Sequence, residues 1–306
     1  MKLAVTGATG FVGREVARQA HQAGHCIRIL ARDPSASRVR ETATQTAAAV
    51  IPGDVLDSES VQRAFQGTDA VIHLVGIISE VGQSTFENIH IEGTHKVANA
   101  ARICGVKRFL HMSALGTRPA AASRYHRSKW AAEEIVRQSG LEYTIFRPSL
   151  IYGREDHFVN LFAKIARFSP LLPVLGNATA RFQPVAVEVV AAAFMRALAE
   201  AKTINHTLDL CGPDTFTFPL LLDRILEATG RKRLKIHIPL PLARLQAGFL
   251  EGVYRGLLRK APPLNRDQLI MLQEDNVGDC RQAEEILGLT QQRFCEGIGS
   301  YLRRKS

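Results

Sequence analysis

Short apolar runs alternate with stretches of helical spacing through the first half of the chain. Lys2–Thr6 reads as a strand and ends at Gly7. Phe11–Ala23 carries apolar residues at Phe11, Val12, Val16, Ala20 and Ala23, near helical spacing, and Gly24 stops it. Cys26–Ala31 and Ala48–Ile51 read as strands, the second followed by Gly53-Asp54. Val61–Phe65 reads as helical and Asp69–Gly76 as a short buried strand. A long helix from Ile91 to Cys104, stopped at Gly105, leads to a strand at Lys107–Ser113. A helix at Tyr125–Ser139, ended by Gly140, leads to a strand at Tyr143–Phe146 that runs into Arg147-Pro148. Strands apolar on both faces and separated by helices predict a parallel sheet covered on both sides. The expected class is α/β, a Rossmann doubly wound sheet.

Beyond Pro148 the pattern loosens. Phe158–Phe168 reads as a helix stopped by Pro170 and Pro173, and Val187–Ala201 as an apolar helix. Arg181–Val185 is expected to contact the main domain, and Thr207–Leu210 to add a late strand to its sheet. The expected division is a Rossmann domain over 1–153 plus 181–212 and a smaller, discontinuous C-terminal region over 154–180 plus 213–306. Within the latter, prolines bracket residues 242–260. A helical wheel there puts Leu242, Leu245, Phe249, Val253 and Leu257 on one face and Arg244, Glu251, Arg255 and Arg259 on the other. Gly248, Gly252 and Gly256 follow one flank, a spacing that permits close backbone contact. The preferred reading is an amphipathic helix whose apolar face covers a substrate cleft, with solvated arginines outside. The alternative lays that face in an anionic membrane surface.

Charge sharpens the second possibility. The 306 residues hold 39 Lys+Arg against 29 Asp+Glu, a formal charge of +10. Residues 231–260 carry eight Lys/Arg and one acid, a net of +7, and Arg303, Arg304 and Lys305 add three. The remainder is neutral, so no pervasive nucleic-acid surface is expected, and aromatic–basic interleaving is absent. No run approaches the roughly 18 apolar residues of a membrane span. The five cysteines (26, 104, 211, 280, 295) are scattered, which points to reduced, buried thiols in a cytosolic protein rather than a metal site. No secretory signal is expected, since the opening strand is not a charged n-region followed by an apolar h-region. The expected location is cytoplasmic, peripheral on the inner face of the membrane if the basic helix meets lipid.

The first turn, Thr6-Gly7-Ala8-Thr9-Gly10-Phe11-Val12-Gly13, leaves a strand and opens a helix. In that context the glycines allow a tight turn (Gly7), close approach of a pyrophosphate (Gly10) and close packing of helix on strand (Gly13). The helix N-terminus supplies free N–H groups and a positive dipole end. Cofactor choice is read after the second strand. Asp33 offers a ribose ligand or a simple turn; Arg32, with Arg14 nearby, offers a clamp for a 2′-phosphate. NADP(H) is favoured over NAD(H). Asp54 either bonds an adenine amino group or caps the helix before Ser58–Phe65. The full expected cofactor lining is Gly7, Thr9, Gly10, Phe11, Val12, Gly13, Arg14, Arg32, Asp54, Val55, Val75, Gly76, Tyr125, Lys129 and Pro148.

Tyr125 and Lys129 stand four apart on one helix face, and Ser113 ends a strand 12 residues before Tyr125. A cation beside a phenol favours the phenolate, which would make Tyr125 a usable acid/base near neutrality. Ser113 would hold a substrate carbonyl oxygen and Lys129 the cofactor ribose. These three are the catalytic candidates; no metal ligands are expected.

The glycine loop, Gly53-Asp54, the Ser113/Tyr125/Lys129 set and Arg147-Pro148-Ser149 resemble the extended and atypical short-chain dehydrogenase/reductases. Five further stretches narrow the resemblance: Leu74–Ile77, Ser113–Gly116, Tyr152–Asp156, Phe182–Val185 and Asp275–Val277. They are similar to the atypical subgroup that contains the NADPH-binding alpha-subcomplex accessory subunit of respiratory complex I and its bacterial relatives. The resemblance covers about residues 1–280. It implies a tightly held NADP(H), often structural, and links to quinone-handling respiratory chemistry. The mitochondrial member's targeting segment is missing here, which implies a bacterial protein. Catalytic extended members usually carry Asn in a V-N-V-x-G-T pattern, where this chain has Ile89-His90-Ile91-Glu92-Gly93-Thr94. His90 can relay protons. It can also be a core histidine bonded locally, which is the preferred reading.

Two functions therefore stand. One is an NAD(P)(H)-binding accessory protein, associated with respiratory or quinone-metabolising machinery. The other is an active NAD(P)-dependent oxidoreductase or epimerase on an unidentified carbinol or carbonyl substrate, a small or quinone-like molecule. No sequence feature sets an oligomeric state.

Overall fold

The computed structural model describes residues 1–176, 178–258 and 260–302. Strands β1 (Lys2–Thr6), β2 (Cys26–Ala31) and β3 (Ala49–Pro52) alternate with helices α1 (Phe11–Gln22), α2 (Ser37–Thr46) and α3 (Ser58–Phe65). β4 (Ala70–His73) leads through a π-helical turn at Glu87–Glu92 into α4 (Gly93–Ile103). β5 (Arg108–Met112), α5 (Arg124–Arg137) and β6 (Glu142–Pro148) complete the first half. The sequence pattern misses α2. Its central stretch Arg40–Thr46 is polar and threonine-rich, and only Val39, Thr42 and Thr46 reach the core.

The second half adds β7 (Ile151–Tyr152), α6 (Phe158–Phe168), β8 (Leu171–Leu175), β9 (Arg181–Phe182), β10 (Val185–Ala186), α7 (Val187–Ala199) and β11 (His206–Leu210). β12 (Phe216–Thr217), α8 (Phe218–Ala228), β13 (Leu234–Ile238), α9 (Leu240–Gly252), α10 (Arg266–Met271), α11 (Arg281–Leu287) and α12 (Phe294–Leu302) follow.

Seven parallel strands form the main sheet in the order β11-β6-β5-β4-β1-β2-β3. Successive side chains point to opposite faces of a strand. Val5, Ile29, Ile72 and Leu110 accordingly join Val12, Val16, Val190 and Phe194 on one side. Ala4, Leu30, Val71, Phe109 and Ile145 join Val61, Phe65, Val97 and Val136 on the other. The expected doubly wound plan is what forms, and the late strand pairs with β6 as expected. Strand order reverses between β1 and β4, which opens a crevice at their carboxyl ends.

The C-terminal elements form a cap over that edge. Phe158, Phe162 and Phe218 pack together where α6 meets α8. β8 and β13 make a separate two-stranded parallel ribbon. Here one expectation fails. On α9 the buried positions are Ala243 and Ala247, while Leu242, Leu245 and Phe249 are exposed. α9 packs on α10, and the Arg266 side chain lies over Gly248. The large apolar residues are left outside, and they do not cover a cleft. Val253–Leu258 continues as a π-helical turn. Arg259, the tail charges Arg303, Arg304 and Lys305, and the side chains of Arg255 and Leu257 lie outside the described residues.

Among the described residues no helix is long and apolar enough to cross a membrane. The five cysteines are free thiols, but only Cys211 is buried; Cys26 and Cys295 are exposed, against the expectation of buried thiols.

Candidate functional site: a nucleotide crevice beside Ser113, Tyr125 and Lys129

The site is built at the carboxyl edge of the sheet. Gly7 has φ +79°, where an L side chain would be strained. A Cβ on Gly13 would stand 2.0 Å from the Gly7 carbonyl oxygen, so only glycine lets α1 start so close to β1. Gly10 is the N-cap of α1 and offers no side-chain cap, nor does the first turn contain an acid. Its backbone N–H groups thus remain available to an anion. Gly10 itself is exposed, Thr9 and Phe11 are half-buried, and Val12 is buried under the turn. The Phe11 ring lies close against Gly153, at the start of the Gly153-Arg154-Glu155-Asp156 stretch. These features fit a dinucleotide pyrophosphate.

The neighbouring strand ends supply the rest of the lining. Val55 is buried and packs on Gly93; Val75 is half-buried and Gly76 exposed after β4; Pro148 is buried at the end of β6. Asp54 does not cap α3. That cap is Asp57, which accepts from Glu59 N–H. Asp54 instead closes a local turn by accepting from Leu56 N–H at 2.9 Å. Asp33 likewise sets a turn, accepting from the Ser35 N–H and hydroxyl, and these bonds hold its carboxyl below the usual range. Arg32 is exposed beside it. Arg14 is less free than expected: it bridges Glu41 and Glu155, each at 3.0 Å, and Arg38 also reaches Glu155 at 3.7 Å. The sequence reading missed Arg38, although it stands one residue into α2.

Ser113 is buried just past β5 and its hydroxyl reaches Thr117 Oγ1 at 3.4 Å. Lys129 is buried, and its ammonium donates to the Met112 carbonyl at 3.0 Å. A Cβ on Gly76 would stand 3.1 Å from Lys129 Nζ, so the ammonium lies between the ends of β4 and β5. Burial lowers the Lys129 pKa to about 8, opposed by Glu133 one turn on. Glu133 is fully buried and takes Arg137 and Arg147, each at 2.6 Å, which fastens α5 to β6. That bridge gives the Arg147-Pro148 pair a structural role.

Tyr125 opens α5 half-buried, its ring edge-on to Phe86 and His90 and tilted against His126. Its phenol does not behave as expected beside a lysine. Burial pushes it up to about 12, and no hydrogen bond joins it to Ser113 or Lys129 among the described residues. The ammonium is committed to the Met112 carbonyl, and the rings packed on Tyr125 carry no charge that would favour the phenolate.

His90 is resolved in favour of the local reading. Ile77 N–H donates to Nε2 at 3.0 Å, so the ring proton sits on Nδ1, which reaches Ser128 Oγ at 2.8 Å. Ser128 in turn donates to the Tyr125 carbonyl. His90 is a neutral strut between the loop after β4 and the first turn of α5. Burial, then the Lys129 charge, hold its pKa at about 2. Behind it, His73 bonds Thr6 and Thr94, and burial holds its pKa at about 3. His111 stacks on His73, and neither of its ring nitrogens finds a partner among the described residues.

Residues far along the chain complete the frame, and no local signal could have placed them. Asp267 of α10 accepts from the N–H groups of Arg124 and Tyr125 at 2.7 and 2.9 Å, capping α5. Asn265 donates to the Ile78 carbonyl. Asn276 accepts from Ser149 and Leu150, and Gln183 bridges Gly212 and Gly278. A separate surface hollow of about 450 Å³ lies at the opposite end of the sheet, beside Lys2, His25 and Arg28, away from this chemistry.

Comparison with known proteins agrees with this geometry. The chain is 30% identical over 277 residues to a mitochondrial protein of Arabidopsis thaliana, NADH dehydrogenase [ubiquinone] 1 alpha subcomplex subunit 9. That match covers 89% of this chain and 68% of the relative. It is 33% identical over 264 residues to the ceramide reductase of Caulobacter vibrioides, covering 83% of this chain and 78% of that one. Among solved structures it resembles UDP-glucose 4-epimerase of Thermotoga maritima, with TM-score 0.76 over 98% of both chains. At 21% identity that likeness speaks for the fold alone. Residues 7–164, which begin at Gly7 and run past Lys129, match the family described as NAD(P)H-binding, and the chain belongs to that family.

Proposed function

We propose that this protein is an NADP(H)-dependent reductase of a hydrophobic, quinone-like or lipid carbonyl. The observation that carries the reading is placement: Ser113 and Lys129 lie at the carboxyl edge of the sheet, with Tyr125 edge-on to His90, which meets the same Gly76 as Lys129. The nucleotide-binding unit is assigned to 1–153 with 181–212, and the cap to 154–180 with 213–306. Arg32, supported by Arg14 and Arg38, favours the 2′-phosphate of NADP(H). Asp33 is already spent on its own turn.

The bound cofactor supplies hydride from its nicotinamide. Ser113 holds the carbonyl oxygen. Tyr125, protonated throughout the physiological range because burial raises its pKa, donates the proton that the new alkoxide needs. Lys129, with a pKa of about 8, is mostly charged at neutrality and stabilises the phenolate left behind. The basic region 231–260 is read as the part that meets an anionic membrane surface, which gives a peripheral location.

A second reading draws on one observation. His90 replaces the expected Asn by a strut with both nitrogens committed, and Tyr125 is not yet bonded to its partners. That arrangement suits an accessory protein in which NADP(H) is a structural ligand. The test is single-turnover oxidation of bound NADPH by a water-soluble short-chain quinone or ketone, in wild type and Tyr125→Phe. Oxidation that the variant loses supports the reductase. Cofactor that stays reduced in both, with slow release, supports the accessory reading.

A further inference from the structure

The assignment of residues 231–260 to a lipid surface leaves open which side chains meet the bilayer and why that contact would serve the site. On α9 the outward row is Leu242, Leu245 and Phe249, exposed by 58%, 73% and 72%. A second apolar group stands at the end of α6 and on the β8/β13 ribbon. Phe168 closes α6 at 74% exposure, followed by Leu171 of β8, with Leu234 (66%) and Ile236 on β13. Leu171 and Leu234 are direct partners in the parallel ribbon, so both lie on its outer face, with Ile236 two residues on. Lys235 points the other way and is neutralised by Asp223.

Singly exposed apolar residues are ordinary, but seven large ones on α9 and on the β8/β13 ribbon with the end of α6 that leads into it are not. Basic side chains flank them. Arg167 lies 5.5 Å from the Phe168 ring centre, and Lys232 and Arg244 are exposed. The nearby acid Glu251 is taken by the Arg266 backbone N–H. Apolar ridges bordered by cations match acyl chains under anionic headgroups. A second copy would set this basic face against its own like charge.

The same face is wired to the catalytic end. α9 packs on α10, where Asp267 caps α5 at Tyr125 and the adjoining Asn265 holds the Ile78 carbonyl. We propose that the β8/β13 ribbon and α9 together form a bipartite docking face for an anionic bilayer. It brings the mouth of the Tyr125 site to the lipid surface, so the substrate is a carbonyl-bearing amphiphile resident in the membrane. This rests on the reading that residues 231–260 meet lipid, and extends it to Phe168 and Leu171 outside that region.

The test is flotation of the full chain, loaded with NADPH, on phosphatidylcholine vesicles with and without phosphatidylglycerol. Wild type is expected to float with the anionic vesicles and weakly with the neutral ones. Phe168→Ser/Leu234→Ser and Leu245→Ser/Phe249→Ser should each lower the partition coefficient at least tenfold. Both pairs change exposed side chains, and the rise in Tm caused by NADPH checks that each variant is folded. If the α9 pair loses binding while the ribbon pair floats like wild type, the bipartite face is wrong and the simpler lipid reading survives. If wild type ignores anionic vesicles, both are wrong. If the ribbon pair instead abolishes a concentration-dependent dimer of the free protein, the face is an interface between copies and the proposal is overturned.

Discussion

The two glycines of the first turn should respond to the same substitution in opposite ways. Gly10 has φ −76° and ψ 173°, a conformation open to any residue, and a Cβ there would meet only the Gly7 carbonyl oxygen at 3.3 Å. Gly10→Ala should therefore fold as well as wild type, or slightly better, because alanine restricts the unfolded chain by about 0.4–1 kcal/mol. Its methyl group projects into the approach to the first-turn N–H groups of α1, so it should weaken the cofactor. Gly13→Ala places a Cβ 2.0 Å from the Gly7 oxygen and 2.7 Å from Ala8 Cα. Those are backbone atoms, so helix and strand must separate, at a cost on the order of 1–3 kcal/mol.

Thermal melts with and without NADPH read both effects. Ligand at about 100 times Kd adds about 2.7 kcal/mol of stability. For a chain of this size that is roughly 5 °C in Tm. A tenfold loss of affinity removes about 1.4 kcal/mol of it. Gly10→Ala should keep the unliganded Tm and lose at least half of the NADPH shift; Gly13→Ala should lower the unliganded Tm itself. A Gly10→Ala protein that binds NADPH like wild type would show that the pyrophosphate does not sit on this turn.

Three other outcomes follow from the site. Arg32→Ser should weaken NADPH at least tenfold in a fluorescence titration and leave NADH unchanged; equal losses for both would remove Arg32 from the 2′-phosphate site. His73 and His90, with pKa values about 3 and 2, and His111, also held low by burial, stay neutral in the fold while the unfolded chain protonates below about 6.5. The unfolded state then binds more protons, so stability falls as pH drops below about 6.5, by about 1.4 kcal/mol per pH unit for each histidine. Urea midpoints at about pH 7.5 and about pH 5.5 measure it, and His90→Asn should reduce the loss by about 1.4 kcal/mol; an unchanged loss would mean His90 does not contribute. Tyr125→Phe should abolish NADPH oxidation by carbonyl substrate without changing the NADPH Kd, read by stopped-flow and equilibrium titration; retained oxidation would remove Tyr125 as the proton donor.

The periodic pattern determined most of the nucleotide-binding half. Strands buried on both faces must be hydrophobic throughout, and their helices end at glycines whose positive φ the structure repeats at Gly24, Gly105 and Gly140. The glycine turn and the Ser113/Tyr125/Lys129 spacing were legible for the same reason: each is fixed by a few adjacent residues. Helix α2 escaped because its polar, threonine-rich surface carries little period. Whatever depends on who meets whom was decided only in three dimensions. Arg14 was read as a free clamp and is held by Glu41 and Glu155, the latter 141 residues away. The Tyr125 phenol was expected to fall beside Lys129 and rises, because desolvation by its actual neighbours outweighs a cation committed elsewhere. The wheel placed the apolar row of α9 correctly but could not say which side faces inward. Ala243 and Ala247 take the inner face, and the larger residues are left outside. A sequence fixes which side chains share a face; the packing partner, often a hundred residues distant, fixes what that face meets.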